Sequence, residues 1–106
     1  MWEYLLPIKK ITNKFKSIKE VRQKIDDIDS KILNLIAERK NLVVEAVKHK
    51  KREQITDWER INYIISCLND KAKVKELPEG LVQEMWMVMI KKFIKYEEEI
   101  FDQIHK

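Results

Sequence analysis

The segment from Ser17 to about Arg52 carries apolar residues at steps of three and four and contains neither glycine nor proline. This spacing places the apolar side chains on one face of an α-helix. Ser17, followed by Glu20, has the spacing of a capping box and marks the predicted start. A helix of about 35 residues measures roughly 50 Å, which exceeds the diameter of so small a domain. Because the remaining chain is too short to cover this apolar face, the pattern predicts a partner subunit.

Two further helices follow, each with its own start signal. Thr56 and Glu59 have the spacing of a second capping box, and Asp57 adds negative charge to the first turn of a helix that runs to about Lys73. Pro78 occupies a predicted first helical position, and the third helix continues from there nearly to the C-terminus. The chain has one glycine and two prolines, which favours helix throughout. We therefore predict an all-α fold of long, medium and long helices.

Three cations, Arg22, Arg39 and Lys50, interrupt the apolar pattern of the long helix. Arg39 and Lys50 are separated by close to three turns, which predicts that they share one helix face, about 16 Å apart. Long side chains at that spacing can hold a small anion between them. Arg22 lies about a quarter turn from that face, so it suits a second site or the same site on a partner. Any one of these cations taken alone is more often a solvated surface charge.

The composition is that of a single soluble globular domain. The 106 residues include 22 Lys and Arg against 18 Asp and Glu, a net charge of +4, with 38% charged and 44% hydrophobic residues. The positive charge favours an anionic ligand, but no nucleic-acid-binding motif accompanies it. Cys67, alone and in an apolar run, is predicted to be a buried thiol. His49 and His105 lack partners at ligand spacing, so we expect no metal and no cofactor.

The chain divides by pattern into an N-terminal extension, residues 1–16, and a helical domain, residues 17–106. The opening Met1–Ile8 is apolar, but Glu3 and Pro7 interrupt it and no basic region precedes it, so it is a poor signal peptide. No segment is long enough to span a membrane. We expect a cytoplasmic protein with neither a membrane nor a nucleic acid as partner.

The segment Val21–Leu33, together with Leu35–Arg39 and Lys50, resembles the opening of the all-helical, type II chorismate mutases. Asp57–Arg60 resembles the Asp-x-x-Arg start of the second helix in that family. The resemblance covers about residues 18–104, and its specificity comes from the combined spacings. It implies an intertwined homodimer of three-helix chains, with the long first helices packed together and chorismate, a dicarboxylate, as the substrate.

The resemblance also implies roles for individual residues. Arg22 would enter the active site of the other subunit, and Arg39 would bind a substrate carboxylate within its own subunit. Lys50 would reach the ether oxygen of the substrate. Asp57 and Arg60 would shape the site at the start of the second helix.

Glu97 falls where the family has a Gln or Glu that faces the same ether oxygen. The Claisen rearrangement to prephenate needs no nucleophile and no proton transfer, but negative charge grows on that oxygen in the transition state. Preplaced donors there stabilise the transition state more than the substrate. Lys50 can donate as it stands, whereas Glu97 can donate only when protonated. Activity should fall as pH rises if Glu97 is the donor.

Three features depart from the family pattern. Ile61 follows Arg60, where a Glu usually accepts from the ring hydroxyl, and Phe93 stands where a small polar residue is common. The link from Lys50 to Arg60 is also shorter than usual. Ile61 and Phe93, which we expect to line the substrate site, resemble their counterparts in the isochorismate pyruvate lyases, which share the fold. Alternatively, Ile61 simply extends the apolar stripe of its helix.

These observations predict a homodimeric chorismate mutase, an isomerase of aromatic amino-acid biosynthesis in the shikimate pathway. Isochorismate pyruvate lyase is the main enzymatic alternative, and 4-amino-4-deoxychorismate mutase is another. A helical dimerisation module is the non-enzymatic alternative. Against it stand the cations Arg22, Arg39, Lys50 and Arg60, because a degraded site has little reason to keep them in register.

Overall fold

The computed structural model describes residues 15–105, and within that range it contains three α-helices, a 3₁₀ turn and no strand. We name the helices α1, Ile18–Val47, α2, Trp58–Val74, and α3, Leu81–Ile104, and the 3₁₀ turn is Arg52–Gln54. The predicted all-α class with three helices is confirmed. The predicted extension, residues 1–16, lies almost wholly outside the described residues. In the part of the chain that is described, no helix is both long and apolar enough to cross a membrane.

The chain divides into two compact units, Met1–Glu38 and Arg39–Lys106. The described part of the first unit is dominated by the N-terminal portion of α1. Its start is as predicted, because the hydroxyl of Ser17 accepts a hydrogen bond from the backbone N–H of Glu20 at 3.3 Å. The carboxylate of Glu20 accepts from the N–H of Lys16 at 2.8 Å, so the reciprocal bond of the capping box falls one residue early.

The end of α1 differs from the prediction, because the helix stops at Val47 and does not reach Arg52. The N–H groups of the next three residues donate to carbonyls three positions back, at 3.2, 3.0 and 3.2 Å, which tightens and ends the helix. Val47 is fully buried and Ile55 is 4% exposed, so the chain must turn between them to bury both. Lys50 lies beyond the helix, and the prediction that it continues the helix face of Arg39 is wrong.

The start of α2 also differs from the prediction. Asp57, not Thr56, is the N-cap, and its carboxylate accepts from the backbone N–H of Arg60 at 3.0 Å. The predicted Thr56–Glu59 capping box is therefore wrong by one residue. Both residue types cap helices, but the charge of Asp57 also faces the positive end of the helix dipole, which favours it.

The connection from α2 to α3 contains two residues in the left-handed conformation. Helix α2 ends in a Schellman motif, in which the N–H groups of Glu76 and Leu77 donate to the carbonyls of Lys73 and Ala72, each at 3.1 Å. Glu76 has a φ of 57° and Gly80 a φ of 81°. Because Gly80 is left-handed, the helix cannot run through from Pro78, and the predicted start at Pro78 is wrong.

The apolar core lies in the second unit. Within the described residues, the buried apolar side chains are Val47, Ile55, Ile61, Val82 and Ile90. Helices α2 and α3 pack against each other, and the side-chain amide of Asn69 donates to that of Gln83 across them at 3.0 Å. This packing fixes the two helices that carry four predicted site residues, Arg60, Ile61, Phe93 and Glu97.

Candidate active site

A cavity of about 490 Å³ lies in the second unit, between the C-terminal end of α1, the loop that follows it, and helices α2 and α3. This volume is in the range of small-molecule sites, about 300–1,000 Å³. Its charged and polar lining consists of Arg39, Lys50, Gln54, Asp57, Arg60 and Glu97. Its apolar lining includes Ile61, Ile90, Phe93 and Ile94. The cavity therefore combines an apolar wall with three cations, a combination that suits an anionic organic ligand.

Arg39 lines this cavity and carries a buried hydrogen-bond donor. Its guanidinium carbon lies 5.0 Å from the centre of the Phe93 ring, a cation–π distance. Its Nη1 atom is buried, and among the described residues it has no hydrogen-bond partner. Burial lowers the pKa of Arg39, Glu97 acts in the opposite direction, and Arg60 adds a smaller lowering. The group stays charged, because arginine is not deprotonated in proteins. A buried donor without an acceptor is costly unless a ligand supplies one.

Lys50 and Glu97 form an ion pair at the edge of the cavity. The Nζ atom of Lys50 donates to Oε1 of Glu97 at 2.7 Å, and the side chains are 30% and 8% exposed. The turn after α1 brings Lys50 to this position, and the helical run of α3 places Glu97 opposite it. Because an ammonium carries three N–H donors, Lys50 keeps two for a ligand. The geometry makes Lys50 the donor and Glu97 the acceptor.

Asp57 and Arg60 lie together at the start of α2, as predicted. One oxygen of Asp57 caps the helix, and a carboxylate can accept at its other oxygen as well. Arg60 is an exposed residue, and its guanidinium carbon lies 5.7 Å from the centre of the Tyr63 ring. Arg60 thus provides a second guanidinium on the cavity, on a different helix from Phe93.

Ile61 and Phe93 form part of the apolar lining. Ile61 is 5% exposed, so it belongs both to the core and to the cavity wall. The Phe93 ring contacts Arg39 and also packs edge-on against Tyr96, with centroids 6.3 Å apart. At these two positions the cavity presents no polar side chain to a ring hydroxyl.

Gln54 lines the cavity and was not predicted as a site residue. Its side-chain oxygen accepts from the backbone N–H of Lys51 at 2.7 Å, which directs its amide nitrogen away from that bond. The sequence feature that could have identified Gln54 is its position in the short connection between Lys50 and Asp57, two predicted site residues. Arg22 is an exposed residue of α1 in the first unit, and its contribution to another subunit stays a prediction.

Comparison with known proteins identifies the family of the chain. Residues 21–98 match the family model described as chorismate mutase type II. The chain belongs to the type II chorismate mutase family. The matched range contains every predicted site residue, from Arg22 to Glu97. Membership connects the chain with the aromatic amino-acid pathway.

A curated relative supports the same family. The protein named chorismate mutase from Methanocaldococcus jannaschii is 37% identical to this chain over 73 residues, which cover 67% of the chain and 74% of the relative. A search of solved structures gave no match. Neither the isochorismate pyruvate lyases nor the other predicted alternatives receive support from these comparisons.

Proposed function

We propose that this type II chorismate mutase rearranges chorismate to prephenate in the cavity between α1, α2 and α3. The observation that carries the proposal is the buried Nη1 atom of Arg39, a residue that lines the cavity, which has no protein acceptor among the described residues. A substrate carboxylate supplies that acceptor. A planar guanidinium binds a carboxylate through two parallel hydrogen bonds and so fixes its orientation.

The remaining lining suits the rest of the substrate. Chorismate carries two carboxylates, and Arg60 offers a second cation on the same cavity. The apolar wall, which includes Ile61 and Phe93, packs against the carbon ring. Holding both ends of the substrate in the folded, reactive shape supplies the orientation that a pericyclic reaction needs.

Lys50 is the proposed donor to the ether oxygen. The C–O bond breaks early in the rearrangement, and the ammonium of Lys50 stabilises the negative charge that develops on the oxygen. The ion pair with Glu97 supports this role, because a largely buried carboxylate holds the ammonium in place before the substrate binds. In this proposal Glu97 positions Lys50.

We further propose that the active form is a homodimer built on α1. The helix exposes a row of large apolar side chains in the single chain: Ile25 at 50%, Ile28 at 54%, Ile32 at 43% and Leu35 at 62%. A continuous apolar face of this kind is typical of a helix that packs against a partner. Arg22, on the same helix, would then enter the partner's cavity as a further carboxylate ligand. Residues 17–106 form the catalytic domain in this proposal, and residues 1–16 precede it.

The direct test is to incubate the purified protein with chorismate, isochorismate and 4-amino-4-deoxychorismate in separate reactions and to identify the products by chromatography. We expect prephenate from chorismate. Salicylate and pyruvate from isochorismate, without prephenate from chorismate, would contradict the proposal and assign the apolar residues Ile61 and Phe93 to a lyase. Turnover of the amino analogue alone would identify the other mutase, and no turnover of any substrate would favour the dimerisation module.

A further inference from the structure

A second ion pair joins the loop that carries Lys50 to helix α3. Arg52 opens the 3₁₀ turn after Lys50, and its guanidinium donates a hydrogen bond to the carboxylate of Asp102. The same guanidinium lies 5.6 Å from the centre of the Phe101 ring. The loop is therefore attached to α3 at two points, Lys50 to Glu97 and Arg52 to Asp102.

We propose that Arg52 and Asp102 are positioning residues that hold Lys50 at the place where it meets the substrate. The inference rests on the proposed function, in which Lys50 is the donor to the ether oxygen. Neither Arg52 nor Asp102 lines the cavity, so the pair acts through the loop. Because Lys50 and Arg52 belong to the same short loop, motion of Arg52 away from α3 displaces Lys50.

Hydrogen bonds within the loop allow it to transmit this constraint. The N–H of Lys51 donates to the Gln54 side chain at 2.7 Å, and the N–H of Gln54 donates to the Lys51 carbonyl at 2.9 Å. The next residue, Ile55, is buried in the core. Within this turn, Arg52 is fixed by a hydrogen bond to a carboxylate and by an aromatic ring, which together restrict a long side chain more than either contact alone.

Exposed ion pairs contribute little to folding, so the expected effect on stability is small. The expected effect on catalysis is much larger, because misplacing a catalytic group by about 1 Å can lower a rate by about 100-fold. The pair is therefore predicted to act on kcat much more than on unfolding.

The chain offers a matched control for this pair. Lys48 and Glu45 form an ion pair at 2.9 Å, with side chains 49% and 61% exposed. Arg52 and Asp102 have similar exposures, 56% and 60%. The control pair lies at the end of α1, near Lys50 in sequence, but it links neighbouring residues and does not reach α3. If kcat responds only to a loss of surface charge, variants of both pairs should change it equally. If the Arg52–Asp102 pair positions Lys50, only variants of that pair should lower it.

The experiment compares Asp102→Asn, Arg52→Ala, their double variant and Glu45→Gln with the wild type. We expect Asp102→Asn and Arg52→Ala each to lower kcat by about 10-fold with less than about a twofold change in KM. The double variant should lose no more than the larger single loss, because both changes break one contact. Glu45→Gln should leave kcat unchanged. Exchanging the charges, Arg52→Asp with Asp102→Arg, should recover part of kcat. The proposal is overturned if the loss of kcat in the double variant equals the product of the two single losses. It is also overturned if the single variants lose no more kcat than Glu45→Gln.

Lys50→Ala distinguishes failure of this inference from failure of the proposed function. If Lys50→Ala abolishes turnover but Asp102→Asn behaves like Glu45→Gln, only the inference fails. If Lys50→Ala is active, the proposed donor is wrong. A readout independent of activity is the NMR signal of the Lys50 ammonium. We expect it to broaden in Asp102→Asn and to stay unchanged in Glu45→Gln, and an unchanged signal in both overturns the inference.

Discussion

The Nζ atom of Lys50 lies 2.7 Å from Oε1 of Glu97, a carboxylate whose side chain is only 8% exposed. This contact connects the loop after α1 to α3 and fixes an ammonium at the edge of the cavity. Ion pairs that are partly shielded from water hold their geometry better than exposed ones, because the local dielectric is lower. Because of this contact, a substitution at Lys50 tests the proposed site more directly than one at any other lining residue.

Replacement of Lys50 by alanine should lower kcat by about 100-fold or more, the usual loss when a preplaced donor to a developing oxyanion is removed. KM should change much less, because the contact strengthens only in the transition state. Steady-state kinetics with chorismate measure both constants. Lys51→Ala is the matched control, since Lys51 is the adjacent lysine, is exposed and does not line the cavity. Equal losses in the two variants would contradict the assignment.

The pH profile tests which side chain donates. If the Lys50 ammonium is the donor, kcat/KM should be flat from about pH 5 to 8, whereas donation by a protonated Glu97 makes it fall as pH rises. The ion pair favours Lys50, so we expect the flat profile. Glu97→Gln provides the reference, because a carboxamide donates without titrating in this range. A wild-type profile that falls while that of Glu97→Gln stays flat would identify Glu97 as the donor.

Arg39→Ala should lower kcat/KM by about 30-fold to 1,000-fold, through loss of charge-assisted hydrogen bonds worth about 2–4 kcal/mol to a substrate carboxylate. Arg39→Lys should recover little, because a lysine lacks the planar fork. Lys40→Ala is the control, since Lys40 is the neighbouring exposed cation and does not line the cavity. Dimerisation should be unaffected in all three variants. Full activity in Arg39→Ala would remove the main support for the proposed function.

The left-handed residues between α2 and α3 predict opposite stability changes. Glu76→Gly should raise the free energy of unfolding by about 0.5–1 kcal/mol, because glycine adopts a φ of this sign without the steric cost of a side chain. Gly80→Ala should lower it by about 1 kcal/mol. Apart from its chain neighbours, no residue between 15 and 105 places an atom within 4 Å of an added Cβ at Gly80, so the expected loss comes from backbone conformation. Urea denaturation measures both, and changes of the same sign would contradict the assignment.

The Arg52–Asp102 pair predicts an acid-dependent contribution to stability. The hydrogen bond from Arg52 lowers the pKa of Asp102. A carboxyl whose pKa is lowered by folding stabilises the fold above its ordinary pKa of about 3.9, and this stabilisation is lost as pH falls through the lowered value. Arg52→Ala should therefore raise the pKa of Asp102 in an NMR titration. The pKa of Glu45, lowered by Lys48, should not move. Identical Asp102 titrations in wild type and Arg52→Ala would contradict the contact.

The sequence predicted the three helices and the charged residues that line the cavity, because periodic apolar positions and the family spacing are local signals. It did not predict the end of α1. Lysine, histidine and arginine after Val47 are acceptable in a helix, and the helix stops because Val47 and Ile55 are both buried, which is a tertiary effect. The Arg52–Asp102 contact joins residues far apart in sequence, and in a chain with 38% charged residues no local rule selects that pair.

The proposed dimer makes a sharp prediction about mixed variants. Arg22→Ala and Arg39→Ala should each be nearly inactive alone, because each removes a carboxylate ligand from every site. If Arg22 enters the partner's site, a mixed dimer has one site that lacks both arginines and one that is intact. Unfolding and refolding an equimolar mixture gives half mixed dimers, so about one quarter of all sites should be active. Activity assays before and after refolding measure this recovery. If Arg22 serves its own subunit, mixed dimers contain no intact site, and no activity returns.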